Sequence, residues 1–277
     1  MKQAANLLGK VLMYGVLLFT ILVSVFPILW VILSSFKTNG EIMSGPFVLP
    51  SIVNFDAYVY LFEKYDFATY ALNSLLISVV PTMLSLAFFS MAAYVIAKYR
   101  FRGKNFFYAL FTITLLVPAH SRTQPIFSLI ISLGLYNTKT GLMLVYLSSG
   151  MAMSLFILKA AFQGVPRDLS EAAILDGAGF LGVFTKVNLP LAMNGLVTAG
   201  VLMFLNNWNE FYYANLLVTS TANRTLPVVT ILFNSMFSYN YTNTFAALTV
   251  VIVPGILIYT VAQKQMQASI VGSAVKG

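Results

Sequence analysis

Six long apolar segments constrain this chain more than any other feature, because a helix needs about 20 such residues to cross roughly 30 Å of hydrocarbon. Only 9% of the 277 residues are charged and 59% are hydrophobic, whereas a soluble domain usually carries about 25% charged residues. The sequence therefore predicts an all-α integral membrane protein with six transmembrane helices. The segments run over residues 11–33, 69–97, 105–127, 141–162, 190–218 and 244–263.

No internal repeat or composition boundary divides the chain, so we expect residues 1–277 to form a single transmembrane domain with its core helices at about 69–263. The first apolar segment is too long for a cleaved signal sequence, and we expect it to remain as an anchor. Between the first two segments, residues 34–68 are expected to pack on the outer face as a short amphipathic element.

The 16 basic residues predict the orientation of the helices. One side of the membrane receives eleven of them: Lys2, Lys10, Lys98, Arg100, Arg102, Lys104, Lys159, Arg167, Lys186, Lys264 and Lys276. The other side receives five: Lys37, Lys64, Arg122, Lys139 and Arg224. The positive-inside rule then places both termini in the cytoplasm. Because this bias explains the net charge of +8, no nucleic-acid partner is expected.

The residue types needed for catalysis or metal binding are scarce. There is no cysteine and a single histidine, His120, which leaves no catalytic triad and no His-based or Cys-based metal site. No glycine-rich phosphate loop is present either. We expect no catalytic residue, metal or cofactor on this chain, and any ATP to be bound by another chain.

The cytoplasmic loop over residues 165–190 predicts a short helix lying across the base of the membrane. Pro166 ends the fourth transmembrane segment, Asp168 or Ser170 can cap a new helix, and Gly177 and Gly179 end it. Two interpretations remain open from the residues alone. The helix either stabilises the loop at the interface or, with its small side chains, fits into the groove of a partner.

The same loop resembles the EAA loop of ATP-binding-cassette importer permeases. The matching residues are Glu171-Ala172-Ala173, Asp176-Gly177-Ala178 and Leu189-Pro190. The resemblance implies a coupling helix that docks on the ATPase subunit, a role it assigns to Glu171, Ala172, Ala173, Asp176 and Gly177. Two positions depart from the family pattern, with Val187 in place of isoleucine and Asn194 in place of proline.

The resemblance covers nearly the whole chain and is closest to carbohydrate-importing permeases of the maltose-transporter type. Its other matching residues are Pro118, Gln124, Pro125, Leu133-Gly134-Leu135, Asn137-Thr138, Trp208-Asn209-Glu210-Phe211, Arg224-Thr225-Leu226-Pro227, Gly272 and Ala274-Val275-Lys276-Gly277. It implies a type I importer in a bacterial cytoplasmic membrane that passes a sugar or oligosaccharide. It also implies four kinds of partner: a homologous second permease, two ATPase subunits that bind ATP and Mg, an extracellular sugar-binding protein and the lipid bilayer. The outer loop over residues 219–243 is expected to approach that binding protein.

A polar stripe on the fifth segment is the candidate substrate pathway. Asn206, Asn209, Glu210 and Tyr213 follow helical spacing and are predicted to share one face. A carboxylate in hydrocarbon normally faces protein or a cavity, and amides with a tyrosine suit sugar hydroxyls. The aromatic rings expected to stack on sugar faces are those of Trp208 and Tyr212. The alternative is that these polar groups only bond neighbouring helices.

A second polar cluster, residues 120–124, lies between Pro118 and Pro125, which are predicted to break or kink the third segment. It is either part of an outer gate or a solvated rim. Other functions also remain open: import of a polyol phosphate, for which Arg122 is the available cation, or ion-coupled secondary transport through Glu210. A membrane-embedded enzyme is disfavoured, because it needs clustered catalytic residues.

Overall fold

The computed structural model describes residues 2–233 and 240–274. Within them the regular structure is helical, with no strand, which confirms the all-α prediction. The α-helices are α1 (Lys2–Ser34), α2 (Asn39–Ser44), α3 (Asp56–Lys64), α4 (Phe67–Lys98), α5 (Lys104–Ile113), α6 (Thr123–Ser132), α7 (Lys139–Ser149), α8 (Met151–Gly164), α9 (Arg167–Leu175), α10 (Phe180–Gly182), α11 (Leu189–Leu191), α12 (Met193–Trp208), α13 (Tyr212–Leu217), α14 (Leu226–Val229) and α15 (Tyr241–Ala274). A π-helical turn, Val183–Asn188, joins α10 to α11. Residues 275–277 of the predicted tail match and 234–239 of the predicted outer loop lie outside the described residues.

Three of these helices are long and apolar enough to cross a membrane: Gly9–Ser34 in α1, Phe67–Lys98 and Tyr241–Lys264 in α15. Each contains a proline yet remains continuous, as transmembrane helices tolerate when neighbouring groups satisfy the freed carbonyl. These three correspond to the first, second and sixth predicted segments.

Two further spans are each made of two helices that meet at a bend. α7 and α8 bend by 47° around Gly150, and Phe180–Leu191 bends by 78° against α12 near Ala192. The described residues therefore hold three candidate spans, or five when each bent pair counts as one. The fourth and fifth predicted segments fall mainly on these bent pairs.

The third predicted segment, residues 105–127, is not one helix, and among the described residues no candidate span covers it, so the count of six spans stays a prediction. α5 ends at Ile113, where the Thr114 hydroxyl donates to the carbonyl of Phe111 at 2.7 Å. Pro118 then disfavours a helical conformation for Val117. Pro118 was predicted to break the segment, and the chain does resume as a 3₁₀ turn directly after it. Pro125, in contrast, lies in the first turn of α6 without ending it.

The chain forms two compact units, and the prediction of a single domain stays a prediction. The first comprises residues up to Phe67 with Val229–Ile252, and the second comprises Ala68–Val228 with the residues from Val253 onward. In the first unit, the Trp30 indole N–H donates to the carbonyl of Pro46 at 2.6 Å. The Trp30 ring also packs edge-on against Phe245 at 5.0 Å. These contacts hold the segment after α1 to the start of α15.

The second unit has an aromatic core next to the loop over residues 165–190. Tyr94 of α4 is 1% exposed and packs on Phe162 of α8 and Phe184 of the π-helical turn, with ring centroids 5.6 and 5.0 Å away. α8 and α12 approach each other closely at Gly195, where an added methyl carbon would stand 2.3 Å from the Ala161 side chain. The loop therefore rises from a tightly packed base.

Candidate functional site

The short helix α9 begins directly after Pro166, as the sequence predicted. The capping prediction is wrong, because Asp168 and Ser170 lie inside the helix and no side chain caps its N-terminus. Asp168 instead stands in the first turn, where a negative charge favours the helix dipole.

The end of α9 follows the prediction and depends on Gly177. Its backbone is left-handed, with φ of +86°. The N–H of Ala178 donates to the carbonyl of Ala173 at 2.9 Å and that of Gly177 donates to Ile174 at 3.0 Å. These two bonds form a Schellman motif, which favours glycine because a side chain strains the left-handed conformation.

Asn188 connects α9 to the π-helical turn, a role that the sequence prediction missed. The side chain is 0% exposed, and its Nδ2 donates to the Ser170 hydroxyl at 3.0 Å and to the carbonyl of Val183 at 3.1 Å. Among the described residues, Asn188 Oδ1 has no hydrogen-bond partner. The sequence shows only that Asn188 is an amide next to a stretch of mixed polar and apolar residues. Its hydrogen-bond partners depend on the geometry of the π-helical turn, which the sequence does not reveal.

The outward surface of α9 is open and partly apolar. Glu171, Ala172, Asp176 and Gly177 are exposed and Ala173 is half-buried. Leu175 is 88% exposed, an unusual position for leucine in a well-packed loop. Ile174 and Leu181 are exposed as well. Charged groups and exposed apolar side chains therefore lie together on α9, while the bond from Asn188 to Ser170 holds the helix to the π-helical turn.

The predicted polar face of the fifth segment does not exist as one helical face. α12 ends at Trp208 and α13 begins at Tyr212, so Asn206 lies on one side of the break and Tyr213 on the other. Glu210 organises this break. Its carboxylate accepts the backbone N–H groups of Tyr213 at 2.8 Å and Ala214 at 3.0 Å.

The Tyr146 hydroxyl donates to the same Glu210 carboxylate at 2.7 Å and approaches the Glu210 carbonyl at 3.3 Å. The carboxylate thus receives three donors from protein, which is how a charge in an apolar segment is compensated. This arrangement matches the alternative in which Glu210 bonds neighbouring helices. It leaves the carboxylate engaged in the described structure.

Asn207, which the sequence prediction passed over, ties three helices together. It is 3% exposed, its Nδ2 donates to the Thr82 hydroxyl at 3.1 Å and its Oδ1 accepts from Ser149 at 3.2 Å. Asn206, by contrast, is exposed, with one bond of 3.3 Å to Ser149. Asn209 is exposed too and donates to the carbonyl of Leu205 at 2.9 Å.

The two predicted stacking residues have different surroundings. Trp208 is 4% exposed and stacks on Phe204 with ring centroids 5.6 Å apart, and its place beside the pathway stays a prediction. Tyr212 is 41% exposed. Its hydroxyl lies 3.1 Å from the Thr123 hydroxyl, and its ring meets His120 edge-on at 5.0 Å. The predicted polar cluster near Pro118 therefore meets the break in the fifth segment at Tyr212.

Comparison with known proteins identifies the family. Residues 89–271 match the family model described as the binding-protein-dependent transport system inner membrane component. The diacetylchitobiose uptake system permease protein NgcG of Streptomyces coelicolor is 32% identical over 93% of this chain and 86% of its own length. The arabinooligosaccharides transport system permease protein AraQ of Halalkalibacterium halodurans is 34% identical over 94% of both chains.

A solved structure agrees with these sequence matches. A chain from the crystal structure of a bacterial ABC transporter involved in the import of the acidic polysaccharide alginate superposes with a TM-score of 0.83 and 25% identity, over 95% of this chain and 98% of that chain. Its fold therefore extends over almost all of the protein described here. This chain belongs to the family of binding-protein-dependent transport system inner membrane components, the membrane-spanning permeases of such importers.

Proposed function

We propose that this chain is one of two permease subunits of an ATP-driven importer for a sugar or oligosaccharide. In this proposal the six predicted spans cross a bacterial cytoplasmic membrane with both termini inside. A homologous second permease completes the pathway, two ATPase subunits bind ATP and Mg, and an external binding protein delivers the sugar. The supporting names are those of the relatives, which are uptake or transport permeases for diacetylchitobiose and arabinooligosaccharides.

The observation that carries the proposal is the exposed helix α9 on a fixed base. Leu175 and Ile174 present apolar surface next to Glu171 and Asp176. A groove in the ATPase subunit would bury the leucine and isoleucine and pair with the acidic residues. Burying one such apolar side chain contributes about 1.5–3 kcal/mol. The partner would therefore gain most of its affinity from two side chains that now face solvent.

The pathway is assigned to polar groups that the break after α12 leaves accessible. Asn206, Asn209 and Tyr212 are exposed and offer amide and phenol groups to sugar hydroxyls. Tyr213 is half-buried and borders them. Glu210 keeps these groups in place by capping α13, so we assign it a structural role beside the pathway.

The test of the docking surface is sugar-stimulated ATP hydrolysis by the reconstituted complex. We expect Leu175→Ser with Glu171→Ala to abolish stimulation or assembly. Thr185→Ala is the matched control, since it removes an exposed hydroxyl of the same loop that bonds only its own helix, to Leu181. Unchanged assembly, stimulation and transport in the double variant would exclude α9 as the docking element.

The substrate class is tested by uptake into vesicles that contain the complete importer. We expect unlabelled oligosaccharides to compete with a labelled oligosaccharide, and a polyol phosphate to leave its uptake unchanged. Asn206→Ala should raise the sugar concentration for half-maximal uptake without changing ATPase assembly. Uptake that follows the polyol phosphate, or that continues without ATPase subunits, would contradict the proposal.

A further inference from the structure

A polar cleft lies in the first compact unit, among residues that the proposed function has not used. Its volume is about 450 Å³. The lining residues come from the segment after α1, from the start of α3 and from the start of α15: Lys37, Thr38, Asn39, Asn54, Asp56, Ala57, Tyr60, Asn240, Thr242 and Asn243. Nine of these ten carry polar side chains, which is unusual in a chain with so few polar residues.

Lys37 is the feature of this cleft that needs explanation. The residue is only 2% exposed, and lysine is almost never so buried unless it is paired. Its ammonium stands 6.0 Å from the centre of the Trp30 ring. In the part of the chain that the structure describes, that ammonium has no ion pair and no hydrogen-bond acceptor. Lys37 is one of the residues that line the cleft.

Leaving a buried charge unpaired is unfavourable, because the lost hydration is not replaced. A fold that keeps Lys37 in this position therefore points to an acceptor that arrives from outside. Asn243 supports the same conclusion. It is 7% exposed, and within the described residues its side-chain amide has no partner while its backbone N–H is bound by Asn240.

The other polar groups of the cleft are engaged in ways that leave donors free. The Asn39 side-chain oxygen accepts from the backbone and hydroxyl of Thr242 at 3.1 and 3.2 Å, so its NH₂ group remains a donor. The one carboxylate of the lining, Asp56, accepts from Asn54 at 3.0 Å. The unengaged donors of the lining are therefore the Lys37 ammonium and the NH₂ groups of Asn39 and Asn243.

This donor-rich cleft is held open in advance. Thr38 and Glu41 form a capping box at the start of α2, with the Thr38 backbone N–H donating to the Glu41 carboxylate at 2.8 Å. Asn39 then links α2 to the start of α15 through Thr242. A preformed site loses little conformational entropy when it is occupied, so even one incoming group gains affinity from it.

We infer that this cleft receives a carboxylate side chain of the external solute-binding protein, with Lys37 as its counter-ion and Asn39 and Asn243 as hydrogen-bond donors. The inference rests on the proposed function, since that function places residues 35–66 on the outer side. A sugar is a poorer occupant. The aromatic ring of the lining, Tyr60, is already covered by the Lys64 ammonium at 5.2 Å and by Tyr65 at 5.6 Å.

The experiment titrates the binding protein that stimulates ATP hydrolysis by the assembled importer in lipid nanodiscs. Lys37→Met keeps the buried stem and removes the charge. We expect it to raise the half-maximal concentration of binding protein at least about thirtyfold, as loss of one partner of a buried charge pair does. The maximal rate should be unchanged, and the dependence on salt should become weaker. Lys139→Met, which removes another outer lysine, is the matched control.

Asn243→Asp provides a second variant that keeps Lys37 and fills the cleft with a competing carboxylate, so it should weaken docking by at least as much. Equal titration curves for Lys37→Met, Asn243→Asp and Lys139→Met would overturn the inference. If the variants change the half-maximal concentration of sugar and not that of binding protein, the inference is overturned in favour of a sugar site. If the wild-type complex shows no stimulation at all, the proposed function itself has failed.

Discussion

The bond between Asn188 and Ser170 should control how readily α9 opens from the loop. Ser170→Ala removes the 3.0 Å bond and leaves the bond from Asn188 to Val183 in place. A hydrogen bond of this kind contributes about 0.5–1.5 kcal/mol net. A loss of about 1 kcal/mol raises the population of the locally open state about fivefold.

Hydrogen exchange of the α9 amides in the assembled complex measures this opening. We expect about fivefold faster exchange over residues 170–175 in Ser170→Ala. Asn188→Ala should accelerate exchange more, because it also leaves the carbonyl of Val183 without a donor in a buried position. The double variant should be no faster than Asn188→Ala, since Ser170 then has no bond left to lose.

Thr185→Ala is the control, because its hydroxyl bonds Leu181 within the same helical stretch and touches no part of α9 in these contacts. Exchange in α9 that is unchanged in Asn188→Ala would refute the reasoning. So would an equal acceleration in Thr185→Ala, because the effect would then come from any lost hydroxyl and not from the link.

Three further outcomes follow from contacts described above. Gly195→Ala should cost about 1–3 kcal/mol by overpacking, seen as a lower midpoint of thermal unfolding in detergent, and Ala161→Gly in the same chain should restore most of it. Glu210→Gln should cost about 1–3 kcal/mol in the same assay, because the amide nitrogen cannot accept the N–H that the carboxylate accepts; an unchanged midpoint would contradict the capping role. Hydrogen bonding, chiefly from the Ser51 hydroxyl, lowers the pKa of Glu41 from 4.5 to about 2, so its stabilising effect is complete above pH 4.5 and is lost only as the pH falls towards 2. The pKa of the Glu41 carboxyl can be measured by NMR, and a value near 4.5 would show that its hydrogen bonds to Ser51 and Thr38 are absent.

The continuous membrane helices and the ends of α9 were predictable because local chemistry determines them. Apolar length alone identifies α1, α4 and α15. Pro166 and Gly177 act through their own backbone restrictions, so the short helix between them is readable without its surroundings.

Pro118 marked one break in the sequence, but the other bends and breaks were not predictable, because hydropathy is the same on both sides of them. Residues 114–117 are as apolar as the helix that they end, and Gly150 looks no different from other glycines in apolar segments. Asn207 and Asn188 take their roles from partners more than 15 residues away in the sequence, Thr82 and Ser170. The helical spacing that grouped Asn206 with Tyr213 assumed a continuous helix, which the Glu210 cap interrupts.

The close approach at Gly195 has a mechanical consequence. α8 leads into the loop over residues 165–190 and α12 follows it, so both ends of the loop are attached to one closely packed helix pair. The loop is therefore anchored to the helix pair at both of its ends and not at one end alone. Movement of the loop is therefore passed to α8 and α12 together, and weakening the connection to one helix leaves the connection to the other.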